Sequence, residues 1–273
     1  MAKHQKTIDI IETAHAILEE AHPMTVRQVY YQLVSRQVIK NTRSQYQAVS
    51  NALRDARKAG VIPWEWIEDR LRRPRSVAMW DDPKDFASVA RQYRRDVWPT
   101  QTEYLEVWLE KDALSGIFED VLSGYGVTLQ VGRGYDGWDS IRNAAERYNI
   151  SEQTTILYFG DFDPSGEDMV RSLGERLRFF KTSPEIIKCA LNADDVSRYN
   201  LPPDFAKRSD SRAAAFIEKH GDVSVELDAL PSQVLRARLI SEVEKRFDMA
   251  ALREVRRIEA QERDRLIELM AAA

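Results

Sequence analysis

Between residues 104 and 191, short apolar runs alternate with amphipathic segments, and this alternation constrains the fold more than any other feature of the sequence. The apolar runs predict strands, and the segments between them predict helices. The predicted strands are YLEVWL (104–109), VTLQV (127–131), TTILYFG (154–160) and EIIKCAL (185–191), and the predicted helices are DALSGIFEDVL, SIRNAAERY and GEDMVRSLGERLRFF. Alternation at this spacing is typical of an α/β protein with a parallel sheet and helices on its faces.

The N-terminal 80 residues show a different pattern, with three amphipathic helices followed by a basic ribbon. The first helix covers residues 5–21 and ends before Pro23, and the second, VRQVYYQLVSRQVI, begins after Thr25 as its cap. The third runs from Ser44 to Ala59, and VIPWEWIEDRLRRPRSVAMW then predicts two short strands around a basic turn. This is the pattern of a winged helix-turn-helix, in which the third helix enters the DNA major groove.

The chain therefore divides into four predicted parts. A winged-helix DNA-binding domain covers residues 1–80, a polar linker helix covers 81–100, the parallel-sheet domain covers 101–232, and a charged helical tail covers 233–273. The tail has three alternative roles at this point: it packs on the sheet domain, it makes an oligomer contact, or it is a solvated terminal helix.

Charge is distributed unevenly along the chain. Residues 1–99 carry 17 Lys and Arg against 12 Asp and Glu, a net +5, and the rest carries 23 against 32, a net −9. A basic N-terminal half is typical of a nucleic-acid-binding module. The alternatives are that the excess of positive charge is ordinary scatter and that the arginine cluster is a solvated surface loop. The predicted DNA-binding residues are Arg43, Arg54, Arg57, Arg72, Arg73, Arg75 and Lys111.

Several classes of protein are disfavoured by what the sequence lacks. No uncharged apolar run of about 18 residues is present, so we expect no membrane span. The N-terminus has no signal-peptide organisation, and Cys189 is the sole cysteine, so we expect a cytoplasmic protein without disulfides. The four histidines are scattered, which disfavours a zinc site.

Three acids follow predicted strands: Glu110 comes after YLEVWL, and Asp161 and Asp163 come after TTILYFG. If the two strands are neighbours, the three carboxylates converge, since residues i and i+2 of an extended segment share a side. Converging anions need a cation, and oxygen ligands favour Mg²⁺, with Mn²⁺ as the alternative. A helix start at Ser165-Gly166 adds amides suited to a phosphate, so the group predicts metal-assisted phosphoryl transfer. The alternative is that Asp-x-Asp only caps a helix or brackets a turn.

The segments VWLEKDAL, VGRGYDGWDSI and GDFDPSG resemble the Toprim domain of the topoisomerase VI A subunit and of its relative, the meiotic double-strand-break protein. The resemblance implies a Toprim-like sheet domain in which Glu110 is an acid/base or metal-binding group and Asp161 and Asp163 bind magnesium. VELDALP resembles the segment where this family places another acid, which implies that Glu226 or Asp228 joins the site.

The same resemblance implies a nucleophilic tyrosine four residues after an arginine, which corresponds to Tyr31 and Arg27 of the second helix. Residues four apart share a helix face, so the guanidinium can steady a phosphate beside the phenol. A phenol whose pKa is about 10 needs a neighbouring base or cation to attack at neutral pH. The spacing of the apolar residues predicts that Tyr30 lies in the core and that Tyr31 is more exposed.

The resemblance thus implies an enzyme that cleaves double-stranded DNA, as a homodimer whose sites combine the tyrosine of one subunit with the acids of the other. The chain contains no Gly-rich ATPase motif, so strand passage would need a separate ATPase subunit. Two alternatives stay open. One is a hydrolytic Toprim nuclease of a mobile-element or defence system, and the other is a DNA-binding protein without activity.

Overall fold

The computed structural model describes residues 2–68, 78–82, 86–132, 137–148, 153–203 and 212–272. It is an α/β structure in which N-terminal helices precede a four-stranded parallel sheet with flanking helices. The predicted fold class is confirmed at this level. Among the described residues, no helix is both long enough and apolar enough to cross a membrane.

Three helices form the N-terminal part: α1 (Ala2–Ala21), α2 (Val26–Ser35) and α3 (Arg43–Lys58). The start of α2 is fixed by a capping box, in which Thr25 Oγ1 accepts from the Gln28 amide at 3.3 Å and Gln28 Oε1 accepts from the Thr25 amide at 2.7 Å. Apolar faces of the three helices meet in a buried core that includes Leu18, Leu33 and Leu53. The predicted helices are confirmed.

The basic ribbon predicted after α3 differs from what the structure has in its described part. Trp64–Trp66 form a 3-10 turn, and Ile67 makes an isolated parallel bridge with Met24. Arg57 holds this turn in place by donating to the carbonyls of Trp64 at 2.7 Å and Ile67 at 3.1 Å. A turn therefore stands where the first strand of the ribbon was predicted. Residues 69–77, which include Arg72, Arg73 and Arg75, lie outside the described residues.

The sheet has the order β2-β1-β3-β4, and all neighbouring strands are parallel. Its strands are β1 (Tyr104–Leu109), β2 (Thr128–Val131), β3 (Thr154–Phe159) and β4 (Glu185–Ala190). Leu109 lies opposite Phe159, so the inner strands β1 and β3 end side by side. These two strands are almost wholly buried, as expected for a parallel sheet covered on both faces.

Helices cover the sheet and complete the chain. They are α4 (Ser115–Ser123), α5 (Trp138–Tyr148), α6 (Pro164–Phe179), α7 (Ala193–Arg198), α8 (Ala213–His220), α9 (Ser232–Glu244) and α10 (Met249–Ala272). Leu235, Leu239 and Val243 of α9 are fully buried, and Glu259 of α10 accepts from the Arg95 amide at 2.9 Å. The tail therefore packs on the rest of the molecule. The predicted linker helix is replaced in its described part by 3-10 turns at Ala87–Gln92 and Trp98–Thr100.

Candidate active site at the carboxyl edge of the sheet

Glu110 and Asp161 meet where the inner strands end. The Glu110 amide donates to the Phe159 carbonyl at 2.9 Å and so continues the ladder between β1 and β3. The Glu110 side chain then turns across to the neighbouring strand, where Oε2 accepts from the Asp161 amide at 2.9 Å. The strands that carry the predicted acids are therefore neighbours, and their carboxylates share one edge of the sheet.

Gly160 makes this approach sterically feasible. A Cβ at this position would lie 2.5 Å from Glu110 Oε2 and 2.6 Å from Cε1 of Tyr158. Contacts that short force at least one of the neighbours to move. The glycine thus leaves the space in which the Glu110 carboxylate reaches the Asp161 backbone.

Asp163 has a structural role as the N-cap of α6, since its Oδ1 accepts from the Gly166 amide at 2.6 Å. Asp163 therefore caps a helix, as one of the two interpretations predicted, and its second carboxylate oxygen, Oδ2, is not used by this cap. Phe162, which is buried, pairs with Val225 in an antiparallel bridge and points away from the acids on either side. Asp161 instead accepts from the Leu227 amide at 2.7 Å, so one acid holds the helix and the other holds the 225–229 loop.

The electrostatics of these acids reflect crowding of negative charge. Burial, and then the charges of Asp161 and Asp163, raise the pKa of Glu110 to about 7. Burial and the nearby Asp161 also raise the pKa of Asp163, although the hydrogen bond from the Gly166 amide opposes them. The three carboxylates are therefore close enough to repel one another, and an added cation would relieve that repulsion.

Lys111, directly after Glu110, lies among a second group of acids. Its Nζ is 2.9 Å from Glu226 Oε2, 3.3 Å from Asp161 Oδ1 and 3.6 Å from Asp228 Oδ2. Burial disfavours the charged ammonium, but the three carboxylates outweigh burial and raise the pKa of Lys111. Asp161 therefore belongs to both groups and links them.

Asp228 is the most deeply buried acid of the site, with a side chain that is 0 % exposed. Neither of its oxygens has a hydrogen-bond partner in the described part of the chain, although Arg27 Nε lies 3.4 Å from Oδ2. Burial raises the pKa of Asp228 to about 6, even though Lys111 and Arg27 favour its ionised form. Charge at longer range, rather than hydrogen bonds, compensates this carboxylate.

The N-terminal helix α2 contacts the same loop of the same chain. Arg27 Nη2 lies 3.0 Å from Glu226 Oε1 and 2.9 Å from Oε2, and Tyr31 lies beside Glu226 as well. The helix packs on the 3-10 turn Leu227–Ala229. The predicted pair, Arg27 and Tyr31, thus lies beside Glu226, and Lys111 connects Glu226 to Asp161.

Tyr31 is 7 % exposed and Tyr30 is 3 % exposed, so Tyr31 is the more exposed of the two, as predicted, but both side chains are buried. The loop at Leu227–Ala229 covers the side of α2 that helical spacing alone leaves free. Burial and the charge of Glu226 raise the pKa of Tyr31, and the opposing effect of Arg27 is smaller. The phenol therefore keeps its proton at neutral pH in this conformation.

The arginines predicted to contact DNA have different surroundings. Arg43 and Arg54 are exposed on α3, where Arg54 Nε donates to Asp55 at 2.8 Å. Arg57 is turned toward backbone carbonyls and stacks on Trp64, with the guanidinium carbon 4.3 Å from the ring centroid. Burial lowers the pKa of Arg57, which fits this anchoring role.

Glu106 on β1 was missed by the sequence analysis and has a full set of partners. It accepts from Arg147 Nε at 2.9 Å and Nη2 at 2.7 Å, from Trp108 Nε1 at 2.9 Å and from the Tyr148 hydroxyl at 2.9 Å. Its side chain is 0 % exposed. This acid holds α5 against the sheet and faces no open edge.

Glu110, Asp161 and Asp163 offer oxygen donors of the type that Mg²⁺ takes, but no group of three acidic, histidine or cysteine side chains among the described residues forms a cage that could hold a metal ion. Magnesium takes a few carboxylates and fills its other positions with water or phosphate oxygens, so a cage is not required. The raised pKa of Glu110 identifies these carboxylates as the ones that a cation would relieve.

No protein-family model matches this chain, and no curated protein matches it at a significant level. What the chain does is therefore inferred from the site itself. That site joins Arg27 and Tyr31 of α2 to acids and a lysine at the carboxyl edge of the sheet.

Proposed function

We propose that this protein is a magnesium-dependent DNA-cleaving enzyme resembling the topoisomerase VI A subunit, with Tyr31 as the nucleophile. One observation carries the proposal. Within a single chain, Arg27 and Tyr31 lie against Glu226, and Lys111 connects Glu226 to Asp161 at the strand ends. A phenol, a phosphate-binding cation and oxygen ligands for a metal are the groups that tyrosyl phosphoryl transfer needs.

The acids at the sheet edge would hold the metal. Glu110, Asp161 and Asp163 supply oxygen ligands, for Mg²⁺ or alternatively Mn²⁺. The bound ion supplies positive charge to phosphate oxygens. Arg27, whose side chain is 45 % exposed, supplies a second positive charge on the side of the tyrosine.

Glu226, beside Tyr31, would orient the phenol by accepting its hydrogen bond. Burial disfavours the ionised form of Glu226, but Lys111 and Arg27 outweigh burial and lower its pKa, so the acceptor is a carboxylate at neutral pH. In the proposed step the Tyr31 oxygen bonds to phosphorus and a deoxyribose oxygen leaves. The phenol proton passes to a neighbouring acceptor, and the leaving oxygen gains a proton.

The remaining parts of the chain would bind DNA. In this proposal the N-terminal helices form a winged-helix domain, and the sheet with its flanking helices is a Toprim domain. The exposed Arg43 and Arg54 and the basic turn with Arg72, Arg73 and Arg75 contact the phosphates. A homodimer would make both nicks of a double-strand break, and strand passage would need a separate ATPase subunit.

A hydrolytic nuclease is the second candidate, and the burial of Tyr31 favours it. A tyrosine that is 7 % exposed and has a raised pKa must be uncovered and deprotonated before it can attack. Water activated at the acids has neither requirement. In that case Glu110, Asp161 and Asp163 act as above, and Tyr31 has a packing role.

Cleavage of supercoiled DNA with Mg²⁺, stopped with detergent, tests the proposal. We expect a protein–DNA adduct from the wild type and from Tyr30→Phe, a matched control that loses the hydroxyl and with it the hydrogen bonds to Asn41 Oδ1 at 2.9 Å and to the Thr42 carbonyl at 3.2 Å. Tyr31→Phe should give neither adduct nor cleavage, and Asp161→Asn should not cleave.

Cleavage by Tyr31→Phe at the wild-type rate and without an adduct would identify the hydrolytic nuclease instead. Failure of the purified wild-type dimer to cut DNA with either Mg²⁺ or Mn²⁺ would overturn both candidates.

A further inference from the structure

The Lys111 ammonium occupies a position that a metal ion would otherwise suit. It lies between three carboxylates, those of Glu226, Asp161 and Asp228, at 2.9, 3.3 and 3.6 Å. The lysine side chain is 16 % exposed, so these acids, rather than solvent, are its main surroundings. Three carboxylates from two segments thus surround one cation, and their oxygens are of the type that divalent ions take, although with the lysine in place they form no ready-made metal-binding group.

The surroundings of Asp228 indicate that this pocket requires a positive charge. A fully buried carboxylate normally has hydrogen-bond partners, yet neither Asp228 oxygen has one within the described ranges. Its Oδ2 lies 3.6 Å from Lys111 Nζ and 3.4 Å from Arg27 Nε. Without Lys111, this carboxylate would keep only Arg27 as a nearby positive charge, and the group would attract another cation.

Backbone geometry fixes Lys111 at this position. It follows Glu110 directly, and the Glu110 amide extends the ladder of β1 with β3. The lysine is therefore anchored by the inner part of the sheet, and its ammonium is presented to the 225–229 loop. A tethered cation of this kind does not dissociate, unlike a bound ion.

We propose that Lys111 fills the second cation position of this site, so that each chain takes up one divalent ion, on the Glu110 side of Asp161. The inference rests on the proposed metal site and goes beyond it, because it fixes the number of ions and the residue that sets that number. Removing the Lys111 charge should open a second ion site formed by Asp161, Glu226 and Asp228.

Lys188 provides a matched control. It is 12 % exposed, similar to Lys111, and it too contacts Asp161, but through the backbone carbonyl at 3.1 Å. The carboxylate it pairs with is Glu167, at 2.7 Å. Neutralising Lys188 removes the same charge close to the same acids without opening a pocket of three carboxylates.

The experiment counts Mn²⁺ ions bound per full-length chain, from the electron paramagnetic resonance signal of free Mn²⁺ during titration. We expect one ion for the wild type and for Lys188→Met, and one more than the wild type for Lys111→Met. Adding Asp228→Asn to Lys111→Met should restore the wild-type count. An unchanged count in Lys111→Met, or two ions in the wild type, would overturn the inference.

The wild-type count alone tests the proposed metal site, whereas the difference between Lys111→Met and the wild type tests the role of Lys111. A wild type that binds no ion would therefore refute the proposed metal site without deciding the role of Lys111. If Lys111→Met folds poorly in chelator, thermal melts replace the count. An Mn²⁺-induced rise in Tm larger than that of the wild type supports the inference, and an equal rise overturns it.

Discussion

Two glutamates four residues apart on the same side of β1, Glu106 and Glu110, have opposite surroundings. Glu106 is wholly buried and receives hydrogen bonds from Arg147, Trp108 and Tyr148. Glu110, at the strand end, is partly exposed and accepts from the Asp161 amide. One acid is surrounded by donors, and the other lies close to further acids.

The difference shows that burial does not by itself identify a functional carboxylate. Glu106 is the more buried, but its charge is matched by a bidentate guanidinium, so it stabilises the fold. Burial, and then the charges of Asp161 and Asp163, raise the pKa of Glu110 to about 7, an arrangement that costs stability unless a ligand offsets it. Substitutions at four positions test this contrast.

Glu106→Ala should have the largest effect, on stability. It leaves the Arg147 guanidinium and the Tyr148 hydroxyl without the acceptor they share, while Trp108 keeps the Tyr148 oxygen, and the loss costs about 3–5 kcal/mol of unfolding free energy. Urea denaturation measures the loss. Glu146→Ala, which breaks the exposed pair with Arg142 on the same helix, is the control and should cost at most about 0.5 kcal/mol. Similar losses for the two variants would contradict the structural role of Glu106.

Glu110→Gln should reduce DNA cleavage and leave stability intact, the opposite of Glu106→Ala. Cleavage should fall on the order of 10²-fold or more, since a group with acid/base or ligand character is lost. The unfolding free energy should stay the same or rise, because repulsion from Asp161 and Asp163 is removed. Cleavage rates and urea denaturation of the same preparation check both parts. A Glu110→Gln variant that is destabilised yet fully active would show that Glu110, like Glu106, has a structural role.

Gly160→Ala should displace the Glu110 carboxylate without removing it, since the new Cβ would lie 2.5 Å from Oε2. We expect a smaller loss of cleavage, on the order of tenfold, because misplacement of a reacting group costs less than its removal. Gly137→Ala is the control, because a Cβ there meets nothing within 4 Å. Equal activity of the two variants would argue against the close approach at Gly160.

Substitutions at Asp163 should have a small effect on stability and separate its two roles. Asp163→Ala removes the cap of α6 and should cost about 1 kcal/mol, whereas Asp163→Ser keeps a capping oxygen and should cost a few tenths at most. Both should lose cleavage if the charge also serves the metal. Chemical denaturation and the DNA assay distinguish the outcomes, and an active Asp163→Ser would limit this residue to capping.

The strands were predictable from the sequence because β1 and β3 are apolar runs buried on both faces, and Thr25 marked the start of α2 by its cap. The meeting of Glu110 with Asp161 followed from neighbouring parallel strands. These features depend on local pattern and on a general rule of parallel sheets.

The rest depends on how distant segments pack. The Lys111 group needs the 225–229 loop to return to the sheet edge, and no local pattern specifies that return. The burial of Tyr31 has the same origin, since the loop and not α2 itself covers it. Glu106 went unnoticed because its partner Arg147 is 41 residues away on α5.

The strand order β2-β1-β3-β4 places Glu110 and Asp161 at the ends of the two strands that have neighbours on both sides. Inner strands are the last parts of a sheet to open in local unfolding, because both of their edges are hydrogen-bonded. The acids therefore follow strands that are hydrogen-bonded on both edges, whereas Tyr31 is carried by a separate helix, α2, which reaches the site through the ion pairs of Arg27 with Glu226 and Asp228. A motion that changes the distance between Tyr31 and the acids is therefore a motion of α2 relative to the carboxylates at the strand ends.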